Sequence, residues 1–313
     1  MQIYEYPFKS GEAMPECVLA LGFFDGVHIA HRNLISKAGR IAKEKGLKFG
    51  VFTFKSTNKI KSGTPRLYDD ADKAELFSLL GADFAVFADF AKISDYSARD
   101  FIQNILINEL SCQACVAGFN FRFGKGASAG YEELSSLMRE CGREAYICEE
   151  ITAEDGSTLS ATLIRELICA GRTAEANALL GAPYYIKGRV LHGRADGRRL
   201  GFPTANISIP HGKVIPMLGV YRSAVLVDGR IFSGVTNIGK CPTVSLDSIH
   251  LETHVIDFDQ DIYGREIRVY LLEFIREERQ FGSIDELIEQ IDKDKNTTIT
   301  ENGEITWQDL GLK

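Results

Sequence analysis

Along the first 182 residues, apolar positions come in short runs separated by stretches with helical spacing. The runs at 18–23, 49–54, 84–87, 114–117 and 144–148 predict strands. Helical spacing predicts helices over 32–45, stopped by Gly46, over 73–80 before Gly81, near 98–110, and over 132–140. Strands and helices alternating at this length predict a mostly parallel sheet covered by helices. Ligands of such sheets sit beyond the C-terminal strand ends, in the loops that lead into helices.

Two short helical stretches, 162–170 and 173–180, precede a change of character near residue 182. Beyond it, 185–191, 220–227, 230–237, 250–258 and 266–274 alternate or run apolar, with turns between them. Asp228-Gly229 between two of these runs is a type I′ hairpin signal. One helix, 284–291, follows, with Ser283 as N-cap and Glu286 completing a capping box. Short strands and a closing helix predict a small antiparallel barrel. The chain thus reads as a domain over 1–182, a second over 183–295, and a polar tail over 296–313 that holds the one tryptophan.

Composition narrows the class. At 313 residues the chain is about twice the ~150 that serve as a prior for one domain, in keeping with two. Apolar residues at 45% and charged residues at 25% exclude bulk disorder. A net charge of −7 argues against a general binder of nucleic acid or of anionic membranes. No apolar run approaches the ~18 residues of a membrane span, and residues 1–15 lack the pattern of a secretory signal. The seven cysteines are odd in number and scattered, and the lone C-x-x-C at 112–115 reads as buried thiols rather than a zinc site. A cytoplasmic protein without membrane or nucleic-acid partners is the expectation.

Two stretches carry candidate chemistry. Residues 22–31 read G-F-F-D-G-V-H-I-A-H where the first strand meets the first helix. His28 and His31 are three apart, so within a helix they share one face of its first turn. Free N–H groups and partial positive charge at a helix start favour a phosphate, to which imidazoles can add hydrogen bonds during transfer. The plain alternative is a helix cap with two surface histidines. Further on, Ser160 and Thr162 supply hydroxyls, and Arg165 a guanidinium fork suited to phosphate oxygens. In the second half, residues 187–199 hold five basic residues against one acidic. Gly188, Gly193 and Gly197 there allow backbone to approach an anion closely. No G-x-x-x-x-G-K-[ST] is present, so a P-loop kinase is excluded. From charge alone, a solvated basic hairpin is the simpler reading.

The motifs together resemble the bacterial bifunctional FAD synthetases, riboflavin kinase/FMN adenylyltransferases. G-x-F-D-x-x-H-x-x-H is similar to that family's HxGH signature, G-F-N-F-R-F-G over 118–124 to its G-x-[DN]-F-x-F-G loop, and S-A-T-L-I-R over 160–165 to its SSTxIR element. The run G-R-R-L-G-F-P-T-A-N over 197–206 resembles the flavokinase hallmark. N-I-G-K-C-P-T at 237, L-E-T-H-V-I-D-F at 251 and D-I-Y-G at 261 resemble its later elements, as does the segment from Arg276 to Leu287. The resemblance implies a nucleotidyltransferase-like, Rossmann-like α/β domain and a flavokinase-like barrel. It implies ATP and Mg²⁺, with riboflavin, FMN and FAD as substrates and products. In the first domain it implies catalysis by His28 and His31, and ATP contacts from Gly22, Phe24, Asp25, Asn120, Arg122, Ser160, Thr162 and Arg165. In the second it implies ATP contacts from Lys187, Gly188, Gly193, Gly197, Arg198 and Gly201, and metal ligation by Thr204 and Asn206. It also implies flavin contacts from Asn237 and Arg276, and Glu252 as general base. Alternation alone puts Glu252, His254 and Ile256 on one face of a strand, where a glutamate is ordinarily solvated. For Arg276, a surface ion pair is the competing role.

The chain departs from the family pattern in its first half. Ala30 stands where glycine is usual, Ala161 where serine is, and K-S-T-N over 55–58 where x-P-H-P is. The glycine-rich loop 124–130 is one residue longer than usual, lacks the usual arginine, and fails the spacing of a dinucleotide site. These departures motivate an alternative, a riboflavin kinase whose nucleotidyltransferase domain is degenerate or altered. A flavin-responsive binding protein is a third reading, against which Thr204, Asn206 and Glu252 weigh.

Overall fold

A computed structural model describes residues 1–8, 14–56, 63–152, 156, 158–192, 197, 200–240, 249–302 (300–302 by backbone only) and 305–312. The chain forms two compact units, Met1–Ala161 and Thr162–Lys313.

In the first unit the strands are β1 (Gln2–Tyr6), β2 (Cys17–Leu21), β3 (Lys48–Phe54), β4 (Phe84–Ala88), β5 (Cys112–Gly118) and β6 (Glu144–Cys148). They pair in parallel in the order β1-β4-β3-β2-β5-β6. Every residue of β2 and β4 is buried, so both faces of the sheet are covered, as a parallel sheet requires. Helix α1 (Ile29–Lys45) follows β2 and ends at Gly46, whose φ of 66° supplies the left-handed C-cap. Helix α2 (Asp70–Leu79) starts earlier than its apolar spacing predicts, because Asp69 and Asp72 form a reciprocal capping box. Helix α3 (Phe90–Ile93) precedes α4 (Ala98–Asp100), which runs on as a wider-wound helix over Phe101–Glu109. Helix α5 (Tyr131–Glu140) links β5 to β6.

From β2 the chain builds outward through β3 and β4, then returns to place β5 on the other side of β2. The order therefore reverses between β2 and β5, the position where open α/β sheets bind ligands. Residues 22–31 leave β2 at that point, and 118–124 leave β5 beside them. Topology brings two sequence-distant motifs to one crevice.

The second unit opens with α6 (Ala161–Cys169) and α7 (Thr173–Leu180). Its strands are β7 (Tyr184–Arg189), β8 (Thr204–Ser208), β9 (Gly219–Val227), β10 (Arg230–Lys240), β11 (Ile249–Val255) and β12 (Glu266–Arg276). They form one antiparallel sheet in the order β7-β12-β9-β10-β11-β8. A bridge between Leu191 and Asn206 joins the two ends, so the sheet curls on itself. Asp228 and Gly229, with φ of 46° and 76°, make the two-residue turn between β9 and β10. The packing boundary precedes the change of pattern near 182 because α7 is tied to this sheet. The Asn177 amide donates to the Leu271 and Leu272 carbonyls and accepts from the Tyr184 N–H.

The last helix, α8 (Ile284–Asn302), has the predicted start: Ser283 accepts from the Glu286 N–H, and Glu286 from the Gly282 N–H. It runs well past its predicted end at 291, into the polar tail. Asp294 is buried against Arg276, and the Thr297 and Thr298 hydroxyls donate to the Lys293 and Asp294 carbonyls one turn back. This back-bonding gives both hydroxyls an acceptor within the helix.

Candidate active sites

The histidine pair lies at the start of α1. His28 is the N-cap residue but makes no side-chain cap bond, and it is only 4% exposed. The surface-cap alternative is thereby removed. The two imidazoles stack with centroids 3.6 Å apart and 20° between planes. The Nδ1 atoms of both are buried without a hydrogen-bond partner among the described residues. Such orphaned polar atoms are costly unless a ligand satisfies them. The turn ahead of them is strained: Phe24 and Val27 hold φ of 53° and 43°, conformations costing of order 1–3 kcal/mol each for residues with a Cβ. It is tied down by the Leu67 N–H donating to Asp25 Oδ1 at 3.0 Å and Arg32 Nε donating to the Val27 carbonyl at 3.1 Å.

Phe24 turns its ring inward, fully buried edge-on to His31 and Phe77. Only its backbone remains to meet a nucleotide. A Cβ on Gly22 would come within 2.8 Å of that ring, which accounts for the glycine. Asn120 and Arg122 are exposed on the loop after β5. Half-exposed Phe23 stacks on Phe54 at 6.4 Å, and Phe54 meets Phe90 edge-on at 5.6 Å, a shelf along the ends of β2, β3 and β4. Ser160 precedes α6, and on that helix buried Arg165 donates to the Thr162 hydroxyl at 2.9 Å.

In the second unit, register assembles the site. Asn206 on β8 pairs with Glu252 on β11, Glu252 with Asn237 on β10, Asn237 with Val220 on β9, and Val220 with Arg276 on β12. Directly paired residues of antiparallel strands face the same way. Asn206, Glu252, Asn237 and Arg276 therefore form one row across five strands. Thr204 pairs with His254 one step along the same face. His254 Nδ1 donates to the Pro203 carbonyl at 3.0 Å, which holds the strand just ahead of Thr204, and burial lowers the pKa of this histidine. The opposite face carries a buried hydroxyl ladder, Ser223–Thr236–Thr253, at 2.7 and 2.9 Å.

Gly197 lies against Thr204: a Cβ there would stand 2.4 Å from the Phe202 carbonyl and 3.3 Å from the Thr204 hydroxyl. Gly188 approaches Ile207 of β8 as closely as a Cβ would allow, and Gly201 needs its φ of 89°. Lys187 is half-buried on β7. Gly193 and Arg198 lie outside the described residues. A cavity of about 220 Å³ opens beside Thr204, lined also by Val190, Pro203, Asp259 and Tyr263.

Sequence comparison agrees with both halves. The model of the FAD synthetase family matches residues 11–163, and that of riboflavin kinase matches 180–301. The bifunctional riboflavin kinase/FMN adenylyltransferase of Bacillus subtilis (strain 168) is 35% identical over 297 residues, spanning 92% of this chain and 93% of its own. That of Listeria monocytogenes is 37% identical over 289 residues, 90% and 91% of the two chains. The chain belongs to the bifunctional riboflavin kinase/FMN adenylyltransferase family. A crystal structure described as that of a macrolide-efflux protein from Streptococcus pneumoniae is 29% identical and matches with a TM-score of 0.84, over 96% of this chain and 99% of that one. Efflux is said of that protein alone. Among the described residues here, no helix is long and apolar enough to cross a membrane.

Within this riboflavin kinase/FMN adenylyltransferase chain, three contacts near the candidate sites escape the sequence pattern. Arg276 is committed to an ion pair with buried Asp294, at 2.8 Å from Nη2, and so anchors α8. Glu278 accepts from the Asn237 amide at 3.1 Å and covers Gly239. Lys73 is buried behind the histidine turn. The only sequence signal for Lys73 is a lysine in the apolar stripe of α2, four residues ahead of Phe77.

Burial also makes the histidine pair acid-sensitive. It lowers the pKa of His28 to about 4, and that of His31 well below the ordinary value, with the neighbouring His28 and Lys73 charges adding to the shift. A pKa below the unfolded 6.5 means that the unfolded chain takes up the proton first. This stability is full above pH 6.5 and is lost as pH falls toward about 4. At about 1.4 kcal/mol per tenfold change in proton affinity, His28 alone accounts for roughly 3 kcal/mol. Calorimetry across pH 7 to 4 should show the first unit losing stability in this window, with a shallower slope in H28N.

Proposed function

We propose that the second unit transfers the γ-phosphoryl of ATP to riboflavin, giving FMN, and that the first unit adenylylates FMN to FAD with release of pyrophosphate. The observation that carries the kinase half is the row Asn206–Glu252–Asn237, three polar side chains of the resembling motifs on one face of the curled antiparallel sheet. Glu252 accepts the proton of the riboflavin primary hydroxyl as its oxygen attacks phosphorus. Asn237 and the α8 segment anchored by Arg276 bound the flavin side. ATP enters by the cavity beside Thr204, with Lys187, Gly188, Gly197 and Gly201 around its phosphates.

Thr204 and Asn206 fit Mg²⁺. Both offer neutral oxygens, and among the described residues no cluster of three His, Cys, Asp or Glu competes as a metal site. A cation held by a hydroxyl and an amide carbonyl draws its other ligands from phosphate and water, as Mg²⁺ does, and when bound it neutralises phosphate charge.

In the first unit, His28 and His31 donate to the phosphoryl oxygens as adenylyl transfer proceeds, and Ser160, Asn120 and Arg122 contact ATP. The Phe23–Phe54 shelf offers the flavin ring an aromatic face. The departures at 55–58 leave the end of β3 anchored: the Lys55 ammonium pairs with Glu5 at 2.7 Å, and the Ser56 N–H donates to Asp70. Thr57 and Asn58 lie outside the described residues. Purified protein given riboflavin, ATP and Mg²⁺ should accumulate FAD through FMN, read by chromatography of the flavins. FMN that never becomes FAD would overturn the adenylyl-transfer half.

A further inference from the structure

Lys73 projects from α2 into the first unit with 1% of its side chain exposed. Its ammonium donates to the Phe54 carbonyl at 2.8 Å, and to the Phe23 carbonyl and the Thr53 hydroxyl at 3.3 Å each. Thr53 in turn donates to the same Phe23 carbonyl at 2.9 Å. Phe54 ends β3, and Phe23 lies two residues beyond β2. One buried cation therefore clamps the C-terminal ends of two adjacent parallel strands, immediately ahead of the strained Phe24–Val27 turn and of His28. Strained backbone persists only where its surroundings over-determine it, and a buried ammonium is retained only where its donors are satisfied.

We propose that Lys73 is a positioning residue for adenylyl transfer, holding the Phe23–Val27 turn and through it the His28–His31 pair in their reactive placement. The proposal rests on the assignment of that pair to FAD formation. The groups facing the ammonium are Asp69 and Asp70 of α2, Asp25 of the turn, His31 of α1, Thr53 of β3, and the Phe23 and Phe87 rings at 5.2 and 5.4 Å. Burial outweighs the three carboxylates and lowers the Lys73 pKa to about 8. The clamp thus loses its charge above pH 8, and the weaker hydrogen bonds of a neutral amine remain.

The test uses the full chain, whose riboflavin kinase step is an internal control. In K73M, which keeps the length and loses the donor, FAD formation from FMN and ATP is expected to fall about 10- to 100-fold, the effect of an ångström-scale misplacement. FMN formation from riboflavin should be unchanged. The wild-type rate of FAD formation should decline above about pH 8, and K73R should recover activity and move that decline to higher pH. Where K73M lowers the melting of the first unit, the K73R profile decides. A wild-type FAD rate in K73M, or a K73R decline at the same pH as wild type, would overturn the proposal. NMR titration of the imidazoles reads the coupling without turnover: the His31 pKa should rise in K73M, and an unmoved value would count against the clamp. A wild-type protein that makes no FAD would instead sink the assignment of the pair, leaving the NMR outcome to judge Lys73.

Discussion

Glu252→Gln is expected to cut ATP-dependent formation of FMN by about 10²–10⁴-fold, the range for loss of a positioned general base. The amide keeps the size and the hydrogen-bonding reach of the carboxylate but takes up no proton. The loss should therefore fall on kcat, with the KM for ATP little changed, because the groups proposed to hold the nucleotide lie on other strands or other rungs. FAD formation from supplied FMN runs in the other unit and should be untouched, which separates a chemical effect from misfolding. Glu252→Asp draws the carboxylate back by one methylene and should fall between wild type and the amide. Full FMN formation by the Gln variant would remove Glu252 from the mechanism and leave the row of polar side chains with a binding role alone.

The row that makes Glu252 a candidate was only partly legible in the sequence. Period-2 alternation put Glu252 and His254 on one face of β11, but nothing in the alternation says that Asn206 and Asn237 flank it. That depends on register across three strands, and on the Leu191–Asn206 bridge that brings the ends of the sheet together. β8 itself was read as a motif rather than a strand, because T-A-N-I-S offers too little apolar surface to stand out. β1 was missed for a related reason: as an edge strand it exposes Ile3 and leaves its polar positions to solvent. Strands β2 to β5, buried as continuous runs or nearly so, were plain, and β6, the opposite edge, is only part-buried but keeps an apolar run.

Charge was the least reliable guide. Arg276 looked equally fit for flavin or for a surface ion pair, and its partner proved to be Asp294, buried on a helix that the apolar spacing ended at 291, three residues short of it. Lys73 escaped notice because a single lysine within an apolar stripe carries no pattern of its own. In both cases the deciding fact is burial of a charge, which depends on tertiary packing, and sequence spacing reports only which face of a helix a residue occupies. His28 and His31 were legible by spacing, but their stacking and the unsatisfied Nδ1 atoms were not.

That stacking leads to the second large effect. His28→Ala and His31→Ala are each expected to lower FAD formation from FMN and ATP by about 10²–10³-fold, as for loss of a preorganised donor to developing charge. Riboflavin phosphorylation should proceed normally in both. Neither loss traces to the helix start, since His28 makes no cap bond to forfeit. Both rings are held neutral near pH 7 by burial, so each presents one N–H and one bare nitrogen, and the stack at 3.6 Å fixes the direction of both. Removing one ring frees the other to turn, and what remains no longer presents two aligned donors. The double variant should therefore lie within about tenfold of the worse single variant, the non-additivity of groups that act as a unit. Losses that multiply across the cycle would instead mean two independent contacts, each oriented by its own surroundings, and would assign the stack to packing rather than to transfer.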